Sequence, residues 1–411
     1  MKIQALIVGG GQAGLAMSYV LKREGVDHLV LERGEIANSW ITQRWNSFSL
    51  VTQNWQNQLP GFPYCGIKPE GFLRNSEVIA YLRDYQKTYQ LPVRVNSEVL
   101  WLSKFGHAYQ VTTQQETFFS EMVVIATGNL NRPRIPISSK EIAPEIYQIH
   151  SSSYKSPNEI PEGAVLVVGG GQSGYQIAYE LLKNGRKVFM SFGRTTWIPR
   201  NYRGKDISVW LTLMGVIDTP INRIQTKFML NSASSPIIST EHDCLRNLVK
   251  MGLTPLGRLT DASMENLSFA DSLEKSFQES DFHLFQTLKL VDQYITRNGI
   301  LDSPIEQVST MLDRRLNLPR IKKINLLESN ISSIIWATGF QNDFQFVKLP
   351  GFDSSITLDC NKVSSIFPGI YFLGMHGVCT IKSGSLYGVG SDAESIYKRM
   401  INEMQSYSGI Q

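Results

Sequence analysis

The chain has 411 residues, enough for two or three domains, and its 42% hydrophobic and 18% charged content is ordinary for a soluble globular protein. A net charge of +4 is small beside 76 charged side chains (40 Lys and Arg plus 36 Asp and Glu), and no block of like charge occurs, so nucleic-acid or membrane-surface binding gets no support. No apolar run approaches the roughly 20 residues of a bilayer span, the start is too short for a secretory signal, and the four scattered cysteines form no CxxC, which fits a reducing cytoplasm and offers neither a dithiol nor a zinc site.

The opening stretch reads as strand, glycine turn, helix and strand. An apolar run over residues 5–8 ends in Gly9-Gly10-Gly11-Gln12-Ala13-Gly14, a helical pattern follows to Gly25, and a second apolar run over 29–31 ends at Glu32. Gly9 allows the sharp turn, Gly11 lets backbone approach a pyrophosphate, and Gly14 lets helix and strand pack closely. The helix start offers free N–H groups to that pyrophosphate, and Glu32, 18 residues after Gly14, would accept from a ribose hydroxyl. The acid suits FAD.

Next comes a segment dense in aromatics and amides: Ser39-Trp40, Arg44-Trp45-Asn46-Ser47 and Thr52-Gln53-Asn54-Trp55, broken by Pro60-Gly61-Phe62-Pro63. A long excursion of this kind between units of an α/β domain is more often functional than filler. Residues 76–89 predict a helix capped by Ser76, and 93–95, 98–102, 108–113 and 116–119 predict short strands of an antiparallel meander. A buried strand then ends in Ala126-Thr127-Gly128.

After a proline- and arginine-rich linker (131–136) the opening motif returns. Gly9, Gly11, Gly14 and Gly25 recur as Gly169, Gly171, Gly174 and Gly185, a uniform offset of 160 (169 − 9), with Gln172 and Ser173 inside the turn. Two dinucleotides are therefore expected. The second copy differs where its second strand ends: Ser191-Phe192-Gly193-Arg194 replaces the acid, with Arg200, Arg203 and Lys205 close behind. An arginine there suits a 2′-phosphate, so NADPH is expected in this site, with NADH possible.

Residues 206–330 are less legible. Helical spacing runs over 210–216 and 282–296, strands are expected at 253–259 and 267–270, and the serine-rich stretch 232–239 reads as a surface loop. The strand-then-Ala-Thr-Gly pattern returns as Ala337-Thr338-Gly339-Phe340. A strand into a glycine turn (369–374), a glycine-rich loop (383–390) and a helix (392–404) close the chain.

A flavin beside a nicotinamide supports hydride transfer. Without a CxxC a disulfide reductase lacks its dithiol, Gly171-Gln172-Ser173-Gly174 lacks the GxSxG spacing of a serine hydrolase, and oxygen is the expected acceptor. The two GxGxxG turns, the two Ala-Thr-Gly strands and His150-xxx-Tyr154-Lys155 resemble the single-component, class B flavin-dependent monooxygenases over nearly the whole chain. Tyr154 matches the flavin-containing monooxygenase branch, although Pro144 and Ile146 stand where that branch carries Phe and Gly.

The resemblance implies that NADPH reduces FAD and that O2 adds to form a C4a-hydroperoxide. Its distal oxygen then passes to a nucleophilic sulfur, nitrogen or activated carbon of a small substrate. It also implies that Asn54 supports the oxygenated flavin, that Arg33, Trp40, Arg44, Trp45 and Asn46 line the flavin site, and that Asp392 caps the ribityl chain. Trp210, Phe282, Phe285, His376 and Tyr387 are candidates for a substrate pocket. The expected fold is α/β with two Rossmann-like domains. The NADPH domain (156–330) is inserted in a FAD domain made of 1–155 and 331–411, and a homodimer is compatible with it. Two other readings stay open: a reductase or oxidase passing electrons to a quinone or O2, and a redox-sensing flavoprotein without turnover.

Overall fold

The computed structural model describes residues 1–223, 232–233, 244–300, 304, 317–353, 366–375 and 379–408. Strand β1 (Lys2–Val8) enters the glycine turn, helix α1 (Gln12–Arg23) follows, and β2 (His28–Leu31) returns parallel to β1 with Val8 opposite Leu31. Ala5, Leu6 and Ile7 are fully buried because a parallel strand is covered on both faces. Ala5 and Ile7 pack with α1, and Leu6 and Val8 pack on the opposite face.

Helix α2 spans Asn75–Thr88, and its cap differs from the expected one. The Glu77 carboxylate accepts the Arg74 N–H at 2.7 Å, so the helix starts one residue before Ser76. Strand β3 (Val93–Arg94) does not join the meander; it pairs in parallel with β2 as the sheet edge. The meander consists of β4 (Val99–Phe105), β5 (Ala108–Thr113) and β6 (Thr117–Ile125). The separate strands expected at 116–119 and 122–128 are one nine-residue strand. Ser120, polar and fully buried, hides this continuity from the sequence; its hydroxyl donates to Met122 O and Gln4 O.

The second unit repeats the first. Strands β7 (Tyr147–His150) and β8 (Ala164–Val168) precede the second glycine turn, helix α3 (Gln172–Lys183) and β9 (Val188–Ser191). Helix α4 (Ile207–Leu213) starts ahead of the expected 210–216 because Asp206 accepts the Ser208 N–H at 2.8 Å. Strand β10 (Thr254–Leu256) is an edge strand, which accommodates Pro255. The span expected at 282–296 is the second half of the 25-residue α5 (Leu273–Arg297). Strand β11 (Ile331–Trp336) lies between β7 and β8, giving the parallel order β7-β11-β8-β9-β10. The second sheet thus takes strands from both sides of the expected 156–330 span.

Strand β12 (Ile370–Phe372) returns to the first sheet, parallel to the end of β6, and α6 (Val389–Ser408) packs on α1. The first sheet runs β3-β2-β1-β6-β5-β4, with β12 beside β6. The serine-rich stretch lies outside the described residues except Ser232–Ala233, which pair in parallel with Thr196–Trp197. His376 also lies outside them.

Leu166 is fully buried at the centre of the second sheet, so Leu166→Ala is expected to cost about 2–5 kcal/mol in urea unfolding. A loss under about 1 kcal/mol would mean that this core is loosely packed.

Candidate active site

Both glycine turns are shaped by backbone crowding. A Cβ on Gly9 would stand 2.6 Å from Ala126 O, and one on Gly14 would meet Gly9 O closer than the 3.0 Å that real Cβ atoms respect. In the second copy Gly169 meets Ala337 O and Gly174 meets Gly169 O in the same way. The Ala-Thr-Gly strand ends are therefore the surfaces against which each turn closes. Gly11 and Gly171 differ from these: nothing lies within 4 Å of where their Cβ atoms would be. Neither α1 nor α3 has a side-chain cap at its N-terminus. Free helix N–H groups facing open space suit a diphosphate. A third crossing completes the first turn, since a Cβ on Gly374 (φ +80°) would collide with Ala13.

Side chains clasp this site. Gln12 donates through Nε2 to Gly384 O at 3.0 Å and accepts from Trp40 Nε1 at 3.0 Å, tying two loops to the start of α1. Glu32 accepts from the Gly10 and Gly34 N–H groups at 2.6 and 3.0 Å. Each oxygen retains a lone pair for a ribose hydroxyl. Arg33 is exposed beside it. Thr127 Oγ1 is closed off from solvent without a partner among the described residues. Gly128 and Gly339, three residues past β6 and β11, have φ +73° and +84°, and Thr338 Oγ1 donates to Arg134 O. Asp392 lies in the first turn of α6, hydrogen-bonded to Ser383, and burial pushes its carboxyl above the usual range.

Arg44 is the most informative cation. Its guanidinium lies 5.1 Å from the Trp40 ring and 5.2 Å from Phe48, and Nη1 donates to Gln43 O at 3.1 Å. Its Nε is sealed from solvent with no partner, and among the described residues no carboxylate lies within ion-pair distance. Burial lowers its pKa to about 10. Gln43 Oε1 and Asn75 Oδ1 also lack partners, and Asn75 Nδ2 donates to Trp40 O at 3.0 Å. An uncompensated cation with open acceptors around it fits an anionic, hydrogen-bonding ligand.

Other expected lining residues do different work. Trp45 is buried in the core of the second unit, edge-on to Phe48 at 5.0 Å and to Tyr154 at 6.3 Å. Asn46 is exposed and its backbone donates to Lys155 O at 3.0 Å. Ser191 is buried with its hydroxyl donating to Gly257 O at 2.9 Å, so it braces a strand end. Asn54 spends its amide locally: Nδ2 donates to Lys68 O at 2.9 Å and Oδ1 accepts from Asn57 Nδ2 at 3.3 Å. Its buried neighbours Gln56 and Asn57 carry oxygens without partners. The amide-rich stretch was the signal for them, but spacing could not pick between amides.

The pair His150 and Tyr154 forms a joint. His150 accepts the Ser152 N–H on Nδ1 at 3.1 Å and bonds Gly339 O through Nε2 at 3.0 Å. These partners select the neutral ring protonated on Nε2. Burial lowers its pKa below the usual 6.5. Tyr154 donates to Glu180 at 2.8 Å, which also accepts from Ser47 Oγ at 2.7 Å, while Lys155 Nζ donates to Thr42 O and Arg44 O at 2.7 and 2.9 Å.

At the second site Phe192 occupies the place of Glu32; a Cβ on Gly170 would stand 2.7 Å from Phe192 Cβ, as one on Gly10 would stand 2.9 Å from Glu32 Cβ. Gln172 and Ser173 open α3. Arg194 is largely exposed and 3.4 Å from Glu279. Arg200 and Arg203 are committed elsewhere, to Asp206 at 2.7 Å and to Asp292 at 2.8 Å. Arg258, distant in sequence, is exposed beside Gly193. Among the pocket candidates, Trp210 is fully buried core, Phe282 and Phe285 are exposed on α5, and Tyr387 packs edge-on to Trp55 at 5.7 Å. They do not converge.

Two uncapped glycine turns of one design, joined by a shared seam, define an oxidoreductase of the two-dinucleotide class. The chain belongs to the pyridine nucleotide-disulphide oxidoreductase family, whose sequence model matches residues 6–238. It is 29% identical over 405 residues to an uncharacterised CzcO-like oxidoreductase of Geobacillus kaustophilus, covering 97% of this chain and 99% of that one. It is 30% identical over 268 residues to the probable indole-3-pyruvate monooxygenase YUCCA1 of Arabidopsis thaliana, covering 63% of each. The fold resembles a flavin-containing monooxygenase from Stenotrophomonas maltophilia (TM-score 0.67, 18% identity, 98% of each chain). It also resembles OTEMO in complex with FAD and NADP (TM-score 0.54, 17% identity, 99% of this chain and 86% of that one). The expected likeness to flavin-dependent monooxygenases stands.

The glycines make a differential test. Gly11→Ala meets no atom of the protein, so the apoprotein is expected to keep its melting temperature while losing flavin binding. Gly14→Ala collides with backbone and is expected to lower stability with or without ligand. Equal flavin retention by Gly11→Ala and wild type would remove the diphosphate from that turn.

His150 sets a pH dependence. Its folded pKa is lowered, so its stabilising contribution is present above about pH 6.5 and is lost as pH falls through the lower folded value. The fall in melting temperature between about pH 7.5 and about pH 5.5 is expected to be smaller in His150→Gln. An identical fall would mean that other groups carry it.

Proposed function

We propose that the chain is an FAD- and NADPH-dependent monooxygenase of the cytoplasm, transferring one oxygen atom of O2 to a small organic substrate with a nucleophilic sulfur, nitrogen or activated carbon. The observation that carries this is the duplicated turn: open space at Gly11 and Gly171 before uncapped helices, with Glu32 at one strand end and Phe192-Gly193-Arg194 at the other. The missing CxxC argues against a dithiol acceptor, and relatives named as monooxygenases argue for oxygen.

A bound flavin supplies two-electron chemistry toward oxygen, and the protein's own task is binding, orientation and exclusion of water. Gly11 and the first turn of α1 receive the flavin's diphosphate, Glu32 its ribose, and Arg44 supplies positive charge beneath Trp40. Gly171 and the first turn of α3 receive the coenzyme's diphosphate. Asn54 holds the amide segment in shape. The purified protein is expected to be yellow and to release FAD on denaturation; release of FMN would overturn the reading. In rapid mixing of the reduced protein with O2, a long-lived oxygenated flavin spectrum is expected. Direct return to oxidised flavin with stoichiometric peroxide would favour a reductase or oxidase.

Coenzyme choice turns on Arg194 and Arg258. A charge-assisted hydrogen bond to a 2′-phosphate contributes about 1.5–3 kcal/mol, and exposure with Glu279 nearby puts Arg194 at the low end. Arg194→Ala and Arg258→Ala are each expected to raise the Km for NADPH several-fold and to leave NADH nearly unchanged. Equal losses with both coenzymes would mean that neither arginine reads the phosphate.

A further inference from the structure

A buried ion pair of the second unit backs one of the contacts between the two units. Arg200, from the second unit, lies 2.7 Å from Asp206 through Nε, and the two side chains are 3% and 1% exposed. Asp206 is itself fixed, accepting from Ser208 N–H and Oγ at 2.8 and 2.6 Å, and Ile207 N donates to Arg200 O at 2.8 Å. The guanidinium leaves its own unit: Nη1 donates to Val51 O at 2.7 Å, Nη2 donates to the same oxygen, and Cζ sits 4.6 Å from the Phe72 ring.

Val51 and Phe72 flank the base of the amide segment. Leu50 N donates to Leu73 O and Asn54 N to Gly71 O, both at 2.8 Å, so Arg200 grips both sides of a small closed loop. That loop presents Gln56 Oε1 and Asn57 Oδ1, buried and without partners among the described residues. Burying two charges is costly, and an apolar pair of similar volume could fill the same space. What an apolar pair lacks is direction. A planar guanidinium, ion-paired with Asp206, lying over Phe72 and donating through both Nη atoms, fixes where Val51 O must be.

We infer that Arg200 is a positioning residue: from the coenzyme unit it fixes the 51–57 segment of the flavin unit, so that this segment's free amide oxygens are presented only while the two units are docked. The functional part of this inference rests on the monooxygenase reading; the structural part does not. Asn54, Trp55, Gln56 and Asn57 each donate a backbone hydrogen bond, to Gly71 O, Pro69 O, Gln53 O and Asn54 O. Hydrogen exchange at these four amides therefore reports directly on the segment.

The test is hydrogen exchange on the protein as purified, for wild type, Arg200→Lys and Phe72→Leu, together with FAD content and peroxide formed per NADPH oxidised. Arg200→Lys keeps the charge but loses the planar grip; it is expected to speed exchange at residues 54–57 by about tenfold or more, with amides of β1 and β8 unchanged. Phe72→Leu, which removes only the stacking, is expected to give a smaller change at the same amides. FAD content is expected to hold while peroxide per NADPH rises several-fold. Unchanged exchange at 54–57 overturns the inference. So does uniform acceleration across all protected amides with wild-type peroxide yield in the flavin-loaded fraction, which would make Arg200 a structural staple. Should the wild type itself show no oxygenated flavin, the monooxygenase reading falls, and the exchange data still decide whether Arg200 sets the segment.

Discussion

Backbone contact at the glycine turns is the constraint on which the rest depends. At Gly14 the helix and the turn are so close that no side chain can stand between them, and Gly174 repeats this. That contact aims the first N–H groups of α1 and α3 into open space instead of into a cap. Ala126 and Ala337 bring the next strands against the same turns, so each site is closed on three sides by main chain. Main chain is a sound choice for a diphosphate, because its N–H groups carry no rotamer entropy and cannot turn away.

The two units are held together by a different chemistry. Trp45, in the first unit by sequence, is packed in the core of the second, and Tyr154, Glu180, Ser47, Lys155 and Arg200 add polar ties across the same seam. Most of these bonds end on backbone carbonyls or on one shared carboxylate, so they fix orientation more than they add stability. Residues between 42 and 51 are therefore tied to the second unit as well as to the first.

Legibility followed physical locality. Both glycine units, the Ala-Thr-Gly strand ends and the α1 and α3 helices could be read because each is a short pattern whose causes lie within about ten residues. Strand β6 looks like two strands in the sequence, since the buried Ser120 breaks the apolar run and one of its partners, Gln4 O, is remote in sequence. Helix α5 looks shorter in the sequence because the buried positions of its first half include Ser276 and Ser280 beside Leu273 and Phe277, a face that only packing explains. At the site, the place of Glu32 at the strand end beside the first turn was legible from its distance to Gly14, whereas the burial of Trp45 in the second core and the bond from Ser191 to Gly257 O were not. An aromatic or a hydroxyl near a turn has the same appearance whether it faces a cofactor or a core. Arg258 was out of reach, because only the β9–β10 pairing brings it to Gly193.

Polar accounting separates structure from function more sharply than motif does. His150, Tyr154, Glu180 and Asn54 have partners within the protein. Among the described residues, the buried side-chain atoms without a partner include Arg44 Nε, Gln43 Oε1, Asn75 Oδ1 and Thr127 Oγ1 about the first turn and Gln56 Oε1 and Asn57 Oδ1 on the neighbouring segment; Gln176 Oε1, Trp197 Nε1 and Asn247 Nδ2 are others, in the second unit. A buried group without a partner costs roughly 1–3 kcal/mol, and a fold does not gather several near one seam without a return. Their mixture of one cation with several acceptors matches a ligand that is anionic at one end and donates hydrogen bonds at the other. A dinucleotide carries both kinds of group, phosphate charge and hydroxyl or ring N–H donors. The same groups that the protein's own hydrogen bonds leave under-satisfied are thus the ones suited to such a ligand.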